Sequence, residues 1–329
     1  MIDGSPRTQA PAAPKARSIA RQRPLLPVSP RSGLRIHPAQ AKPGSAIAFR
    51  PNLNPYPPTA PRRLPAPTAP SHVPQDPPII TVESFKAAYG DKTVLKDVSF
   101  TVSKGEILVL AGGSGCGKST MLRHMIGLYR PAAGRITICG IDVAAAVGDQ
   151  RRHLLRTFGV MYQLGALFGS MTLAENVRLP LEEFTQLPED AIAAIAATKL
   201  RLVGLGHAAD LLPSQISGGM QKRAAIARAM ALDPPILFLD EPSAGLDPIT
   251  SADLDRLILD LRDSLGVTFV VVTHELPSIF TIADRCVVLD AREKTMVALG
   301  PPAELRDSCP NPWVHQFFAR TPTPAAVPS

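Results

Sequence analysis

The chain has 329 residues, and its 35 Lys and Arg against 28 Asp and Glu give a net charge of +7. This length allows one or two domains. No stretch approaches the ~20 consecutive apolar residues that cross a bilayer, and the N-terminus lacks the continuous apolar core of a secretory signal. Four scattered cysteines form neither a Cys-x-x-Cys pair nor a metal-ligand spacing. We therefore expect a soluble intracellular protein with free thiols.

Residues 1–78 differ in composition from the rest of the chain. They hold 19 of the 35 prolines and 11 basic against two acidic residues, a net charge of +9, whereas the other 251 residues carry −2. Because proline blocks helix interiors and removes backbone donors, we predict a disordered Pro/Arg-rich tail. It is either a dispensable extension or an electrostatic attachment to an anionic membrane surface. The basic excess lies outside the folded part, so we predict no nucleic-acid partner.

From residue 79 onward, short apolar runs typical of strands alternate with segments that have the period of helices. This alternation predicts an α/β domain with a mostly parallel core sheet over residues 79–309. Residues 164–231 lack strand runs and are predicted to form an inserted helical subdomain. Strands are predicted at Ile79–Val82, Val94–Val102, Ile107–Leu110, Ile136–Cys139, Gly159–Tyr162, Ile236–Asp240, Thr268–Thr273 and Cys286–Leu289, and helices at Lys118–Leu128, Asp190–Val203, Met220–Ala231 and Thr250–Leu265.

Residues 310–329 are predicted to form a short helix, Asn311–Phe318, followed by a Pro/Thr-rich tail. The side chains of Trp313, Phe317 and Phe318 share one face of this helix because they are spaced at i, i+4 and i+5. They either pack back on the domain or dock on another subunit.

A glycine-rich segment, Gly112–Thr120, lies between a predicted strand and a predicted helix and fits the pattern G-x-x-x-x-G-K-[ST]. Its glycines let successive N–H groups face phosphate oxygens, and the helix start adds the positive end of its dipole. Lys118 would supply a charge for the β- and γ-phosphates, and Ser119 a hydroxyl for Mg²⁺. The chain is therefore predicted to bind a nucleoside triphosphate. The predicted phosphate-loop residues are Gly112, Gly113, Ser114, Gly115, Cys116 (through its amide), Gly117, Lys118, Ser119 and Thr120.

Two acids follow the apolar strand 236–239. Asp240 would stand at the carboxyl end of a buried strand, beside the phosphate loop, where it can hold the Mg²⁺ shell. Glu241 would lie just beyond the metal and polarise the attacking water. An acid next to the metal ligand favours hydrolysis over transfer to an acceptor hydroxyl.

A second anion-binding helix start precedes that strand. Ser217, Gly218 and Gly219 open the predicted helix that we call the signature helix. One nucleotide cannot easily use two such distant sites in a single subunit. Two copies facing head to tail could instead place Ser217–Gly219 of one chain on the γ-phosphate held by the other.

With these three motifs in this order, the sequence resembles the nucleotide-binding subunit of ABC transporters. The resemblance implies a P-loop NTPase fold with an antiparallel β subdomain beside the core sheet, and ATP as the nucleotide. It implies that Tyr89 stacks on adenine and that Gln163 contacts Mg²⁺ and faces the transmembrane partner. It also implies that Asp247 belongs to the D-loop and that His274 is the switch histidine at the γ-phosphate.

Several segments narrow the resemblance to the Mla/Mce-type ATPases. These are Gln163–Phe168, Phe184–Pro188, Met220 after Gly219, Leu246–Thr250 and Asn311–Phe318. Such ATPases energise the movement of phospholipid or other lipids between membranes. The resemblance implies an integral permease and an Mce-domain substrate-binding protein as partners, and a peripheral location at the cytoplasmic face of the inner membrane. The chain departs from the pattern of these ATPases in three places. It has Ile216 where Leu is usual, Leu164 where Ser is common, and a long basic tail.

Three other functions stay open at this point. The chain could serve an ABC transporter for another solute. A non-transport ABC protein acting on ribosomes or DNA usually has two cassettes or a coiled coil, whereas this sequence has one phosphate loop, one signature and no heptad run. A regulatory module without catalysis is disfavoured by the intact Glu241 and His274.

Overall fold

The computed structural model describes residues 77–320. The predicted tail therefore lies outside the described residues, apart from its last two positions, as does the segment 321–329. Within 77–320 the strands are β1 Ile80–Tyr89, β2 Lys92–Val102, β3 Ile107–Gly112, β4 Ala133–Ile138, β5 Ile141–Asp142, β6 Phe158–Met161, β7 Ile236–Asp240, β8 Thr268–Val272, β9 Arg285–Asp290 and β10 Thr295–Gly300. The helices are α1 Lys118–Met125, α2 Gly148–Arg156, α3 Leu173–Phe184, α4 Glu189–Leu202, α5 Gly218–Ala229, α6 Pro248–Leu265, α7 Leu276–Ile282, α8 Pro302–Ser308 and α9 Pro312–Ala319.

The core sheet has the order β10-β9-β3-β8-β7-β6 and is parallel except for β10, which pairs antiparallel with β9. All six residues of β3 are buried, which explains why this strand reads as a continuous apolar run. Asp240 at the end of β7 pairs with Val272 at the end of β8. The carboxyl ends of β3, β7 and β8 therefore meet at one edge of the sheet, where the predicted site residues follow them.

A second sheet, antiparallel with the order β2-β1-β4-β5, covers one face of the core sheet. Alternate residues of β3 divide between two apolar clusters. Leu108 and Leu110 pack with side chains of the antiparallel sheet, such as Phe85 and Val98. Their neighbours on the strand pack among the helices of the opposite face. This sandwich fixes the strand that leads into the phosphate loop.

Helices α3, α4 and α5 form the helical region that was predicted between residues 164 and 231. The Ala-rich helix α4 buries Ile192, Ala196 and Leu200, which are spaced four residues apart along one face. Lys199 is buried on the same helix and forms an ion pair with Asp233. None of the helices within residues 77–320 is both long and apolar enough to cross a membrane.

Some predicted boundaries differ from the structure. Strand β1 continues to Tyr89 instead of ending at Val82, and α1 ends at Met125 instead of Leu128. The signature helix α5 begins at Gly218, two residues earlier than predicted, because Ser217 caps it. Helices α2, α7 and α8 and strands β5 and β10 were not predicted.

Helix α9 matches the predicted C-terminal helix closely. Asn311 caps it by accepting hydrogen bonds from the N–H groups of Trp313 at 3.0 Å and Val314 at 3.3 Å. Val314 and Phe318 are buried in the apolar cluster on the helical face of the core sheet. Of the two alternatives for this helix, the structure has it packed back on the domain.

Candidate active site

The phosphate loop connects β3 with α1 and depends on glycine at two positions. Gly112 has φ 141° and Gly117 has φ 104°, both in the region that side chains disfavour. A Cβ atom on Gly112 would lie 2.4 Å from the carbonyl oxygen of Leu289, and one on Gly117 would lie 2.9 Å from Leu95. Helix α1 begins without a side-chain cap, so its first N–H groups are free to bind an anion.

Two side chains within the loop have defined contacts. The buried Lys118 donates from Nζ to the carbonyl oxygens of Gly112 at 2.9 Å and Gly113 at 3.0 Å. Its ammonium group therefore lies against the first residues of the loop. Burial raises the pKa of the Cys116 thiol, which stays protonated at neutral pH. The Cys116 N–H donates to the carbonyl oxygen of Gly113 at 3.4 Å.

The loop forms one wall of a cleft of about 540 Å³, a volume suited to a small-molecule ligand. Three other predicted site residues, Gln163, Glu241 and His274, reach this cleft from the ends of β6, β7 and β8. The cleft is lined by Val94, Gly112, Gly113, Ser114, Gly115, Gly117, Lys118, Ser119, Thr120, Gln163, Glu241, His274 and Phe317.

Asp240 and Glu241 place two carboxyl groups at the end of β7. Burial raises the pKa of Asp240, and the neighbouring charge of Glu241 adds to this effect. Within the described residues, Asp240 Oδ1 and Glu241 Oε2 are buried without a hydrogen-bond partner. Buried carboxylate oxygens that lack partners fit a hard cation and its water ligands, and Ser119 and Gln163 add oxygen donors of the kind that Mg²⁺ prefers.

His274 fixes one half of the Glu241 carboxylate. Its Nδ1 lies 2.8 Å from Glu241 Oε1, while its Nε2 lies 3.8 Å from Glu275 Oε1. The backbone of Glu241 has φ 48°, unusual for a residue with a side chain, and its N–H donates to the carbonyl oxygen of Val272 at 2.8 Å. One oxygen of the carboxylate is thus held by His274, and the other is buried without a hydrogen-bond partner among the described residues.

The signature residues do not reach this cleft. Ser217 Oγ accepts a hydrogen bond from the N–H of Met220 at 3.3 Å, which makes it the cap of α5. Gly218 and Gly219 form the first turn, and a Cβ on Gly219 would lie 2.4 Å from Thr250 Cγ2 of α6. One chain therefore brings together the phosphate loop, Gln163, Glu241 and His274, but leaves Ser217–Gly219 outside its cleft.

Asp247 also lies outside the set of residues that lines the cleft, where it caps α6. Its carboxylate accepts hydrogen bonds from the Thr250 hydroxyl at 2.6 Å and from the N–H groups of Ile249 and Thr250 at 3.0 Å. These hydrogen bonds, the Thr250 hydroxyl first, lower the pKa of Asp247. The residue is ionised whenever the fold is intact near neutral pH.

Tyr89 stands at the end of β1, 45% exposed, and is not among the residues that line the cleft. Its ring packs edge-on against Tyr129 with centroids 5.8 Å apart, and Tyr129 in turn lies 5.6 Å from His124. Sequence reasoning missed Tyr129, because it follows α1 and meets Tyr89 only in the fold.

Sequence reasoning also missed two contacts of the site itself. Phe317 of α9 lines the cleft and stacks on Trp313, with centroids 5.7 Å apart. Lys222, buried in α5, donates to backbone carbonyl groups of Gln163 and Glu241. The aromatic spacing of α9 was a signal for the first contact, whereas a lysine within a helix gives no local signal for the second.

Comparison with known proteins agrees with this geometry. The family described as ABC transporter matches residues 95–244. The intermembrane phospholipid transport system ATP-binding protein MlaF of Escherichia coli K12 is 40% identical over 254 residues, which cover 76% of this chain and 93% of MlaF. This chain belongs to the ABC transporter family. The predicted family is thereby confirmed.

A second relative of this ABC protein is named for a different cargo. The probable ribonucleotide transport ATP-binding protein mkl of Mycobacterium tuberculosis H37Rv is 42% identical over 239 residues. The match covers 73% of this chain and 66% of mkl, so the chain spans just under two thirds of that relative.

Solved structures confirm the predicted cassette fold. The ATP-binding cassette MJ0796, in a dimeric post-hydrolysis state bound to ADP and Pi, matches with a TM-score of 0.61 and 30% identity. The match covers 68% of this chain and 98% of MJ0796. The structure of cbiO1 from Clostridium perfringens matches with a TM-score of 0.65 and 28% identity, over 71% of this chain and 92% of cbiO1.

Proposed function

We propose that this chain is the ATP-hydrolysing subunit of an ABC transporter that moves phospholipid through a separate permease. The hydrolytic part rests on one observation, the Glu241–His274 pair at the phosphate cleft, in which one carboxylate oxygen is held and the other is free. The other oxygen is buried without a partner, so it has the capacity to accept the proton of an attacking water once the nucleotide and water occupy the cleft, which is the role of a general base.

Other residues of the cleft would stabilise the charge of the triphosphate. Lys118 and the N–H groups at the start of α1 provide positive charge and donors that are fixed before the reaction begins. Ser119, Asp240 and Gln163 would hold Mg²⁺, which when bound neutralises charge on the β- and γ-phosphate oxygens. His274 keeps Glu241 oriented and reaches the side of the cleft where the γ-phosphate would lie.

The site requires a second copy of the chain. Ser217–Gly219 is an anion-binding helix start that lies outside its own cleft, and MJ0796 is dimeric in a state bound to ADP and Pi. Two head-to-tail copies would each close the other's site, with Asp247 at the interface and Tyr89 against adenine. Because the second surface reaches the nucleotide only in the closed dimer, ATP favours closure and hydrolysis reopens it.

The permease would dock beside Gln163. Arg228 of α5 holds the loop after Gln163, because it donates hydrogen bonds to the carbonyl oxygens of Gly165 at 2.9 Å and Ala166 at 2.7 Å. The same loop exposes Leu164 (89%) and Phe168 (55%), two apolar side chains that a partner could cover. An Mce-type substrate-binding protein and a peripheral position at the cytoplasmic face of the inner membrane belong to the same proposal.

Phospholipid is the proposed cargo because the MlaF match extends over 93% of that relative. A different solute is the alternative, and the relative mkl, named as a probable ribonucleotide transport protein, favours it. Purification of the native complex, followed by identification of its membrane subunit and of bound lipid by mass spectrometry, separates the two. A complex that carries no lipid and whose ATPase responds to a ribonucleotide would contradict the phospholipid assignment.

Glu241→Gln tests the hydrolytic assignment. The amide cannot accept the proton of water, so we expect turnover to fall by at least about 100-fold while ATP binding is retained. Glu275→Gln is the matched control, because Glu275 is a neighbouring carboxylate that contacts only the far side of His274. Rapid hydrolysis by Glu241→Gln would show that another group acts as the base.

A further inference from the structure

Lys222 is a buried cation for which the mechanism above has no use. Only 8% of it is exposed, and it lies in the second turn of α5, among buried alanines of the same helix. A buried charge destabilises the fold unless it is well paired. No carboxylate within residues 77–320 lies within ion-pair distance of Lys222, so the partners of its ammonium group determine what it does.

Those partners are two backbone carbonyl groups of the site. Lys222 Nζ donates to the carbonyl oxygen of Gln163 and, at 3.4 Å, to that of Glu241. The two residues follow β6 and β7, which are neighbouring strands of the core sheet. One side chain of the signature helix therefore joins the loop that carries Gln163 to the residue that carries the proposed base.

The backbone of Glu241 needs such support. Its φ of 48° is strained for a residue with a side chain. Its N–H is fixed to Val272, and its carbonyl oxygen accepts from Lys222 Nζ and from the N–H of Ala244 at 3.2 Å. The direction of the carboxylate toward His274 depends on this peptide geometry. Loss of the Lys222 contact would therefore misplace the base before it impaired the phosphate loop.

We propose that Lys222 is a positioning residue that couples the signature helix and the Gln163 loop to the catalytic carboxylate of the same chain. The proposal rests on the proposed function, since it assumes that Glu241 is the base. When α5 moves against the nucleotide of the second copy, or when a permease displaces the Gln163 loop, Lys222 transmits the movement to Glu241. Burial lowers the pKa of Lys222, and the nearby charges of Asp240 and Glu241 oppose this effect.

Lys222→Met tests the proposal in the full-length chain with MgATP. Methionine keeps the unbranched apolar stem but lacks the terminal donors, so we expect kcat to fall by about tenfold while KM changes by less than about threefold. Lys222→Arg keeps charge and donors and should recover most of kcat. Should Lys222→Met unfold at the assay temperature, Lys222→Gln, which retains an N–H donor on a shorter stem, is measured instead and is expected to lose kcat in the same way.

Lys199→Met is the matched control. Lys199 is similarly buried, at 5% exposed, in neighbouring helix α4, and its partner Asp233 precedes the amino end of β7, whereas the cleft lies at the carboxyl end of that strand. We expect this variant to lower Tm at least as much as Lys222→Met but to keep kcat near that of the unaltered protein. A lysine that merely supported the fold would give the same result at both positions.

The Lys222 variants test the positioning role, and Glu241→Gln tests the choice of base independently. If Lys222→Met keeps kcat within about twofold, or loses kcat only in proportion to ATP affinity, the positioning role is wrong. If Glu241→Gln hydrolyses ATP at an undiminished rate, the proposed function is wrong in its choice of base, whatever Lys222 does. A loss of kcat in Lys222→Met that Lys222→Arg restores supports the coupling.

Discussion

Gly112 is the residue at which the core sheet passes into the phosphate loop. In Gly112→Ala the new Cβ would lie 2.4 Å from the carbonyl oxygen of Leu289 and 2.7 Å from Cys116 Sγ, at a φ that alanine disfavours. Leu289 belongs to the buried strand β9 and Cys116 is buried in the loop, so we expect the loop itself to shift and ATP affinity to fall by at least about tenfold, or about 1.4 kcal/mol. Titration with a fluorescent ATP analogue measures the change.

Gly115→Ala is the control for this substitution. Gly115 lies in the same loop with φ 73°, but a Cβ there would meet no atom within 4 Å. We expect only the strain of the left-handed backbone, about 1–2 kcal/mol of stability, and a smaller loss of affinity. Equal losses of affinity in both variants would mean that backbone strain, not the close contact at Leu289, limits the loop.

At the scale of single residues, the sequence predicts best what depends on a fixed local spacing. The phosphate loop needs glycines, lysine and a hydroxyl at set positions, so its chemistry can be read along the chain. Phe317 and Lys222 reach the same cleft region from helices far away in sequence, and only the packing of α9 and α5 brings them there. An aromatic residue and a lysine are common at ordinary core and surface positions of helices, so neither residue type indicates a site.

The cap of helix α6, Asp247, makes the stability of the fold depend on pH. Hydrogen bonds lower the pKa of Asp247 in the folded chain, so its carboxylate stabilises the fold above its unfolded pKa, about 3.9, and loses this effect as the pH falls through the folded value. Asn caps helices but does not titrate. We therefore expect Asp247→Asn to be less stable than the unaltered chain at pH 7, with a difference that shrinks between about pH 5 and pH 3.5.

Urea unfolding midpoints at a series of pH values measure this difference. Thr250→Val removes the hydroxyl that donates to Asp247 at 2.6 Å and should reproduce part of the effect. A difference between Asp247→Asn and the unaltered chain that stays constant from pH 7 to pH 3.5 would rule out the charged cap.

The second half of β1, helix α2 and strand β10 were missed because their sequences lack a clear buried face. Shifts in register between Val82 and Ala88 break the two-residue period of β1, so its second half does not read as a strand. Helix α2 buries only Leu154, and β10 is half-buried along most of its length. Strands β3, β7 and β8, which carry the site, are almost wholly buried, and their continuous apolar runs were predicted correctly.

At the scale of the whole molecule, the separation of the signature helix from its own cleft predicts assembly that depends on nucleotide. Glu241→Gln should trap ATP between two copies, so saturating MgATP should convert monomers to dimers in analytical ultracentrifugation. With Lys118→Ala added, the phosphate is no longer gripped and the chain should remain monomeric. A Glu241→Gln protein that binds MgATP but never dimerises, alone or with its permease, would contradict the two-chain site.

The position of Ser217–Gly219 outside its own cleft also has a genetic consequence. In the proposed two-chain site, a substitution there would spare the nucleotide site of the chain that carries it and impair the site of its neighbour. In a cell that makes both forms, every mixed assembly would then contain one impaired reaction centre opposite one intact centre. Such an allele would therefore act dominantly, by recruiting normal copies into transporters that cannot complete a full cycle.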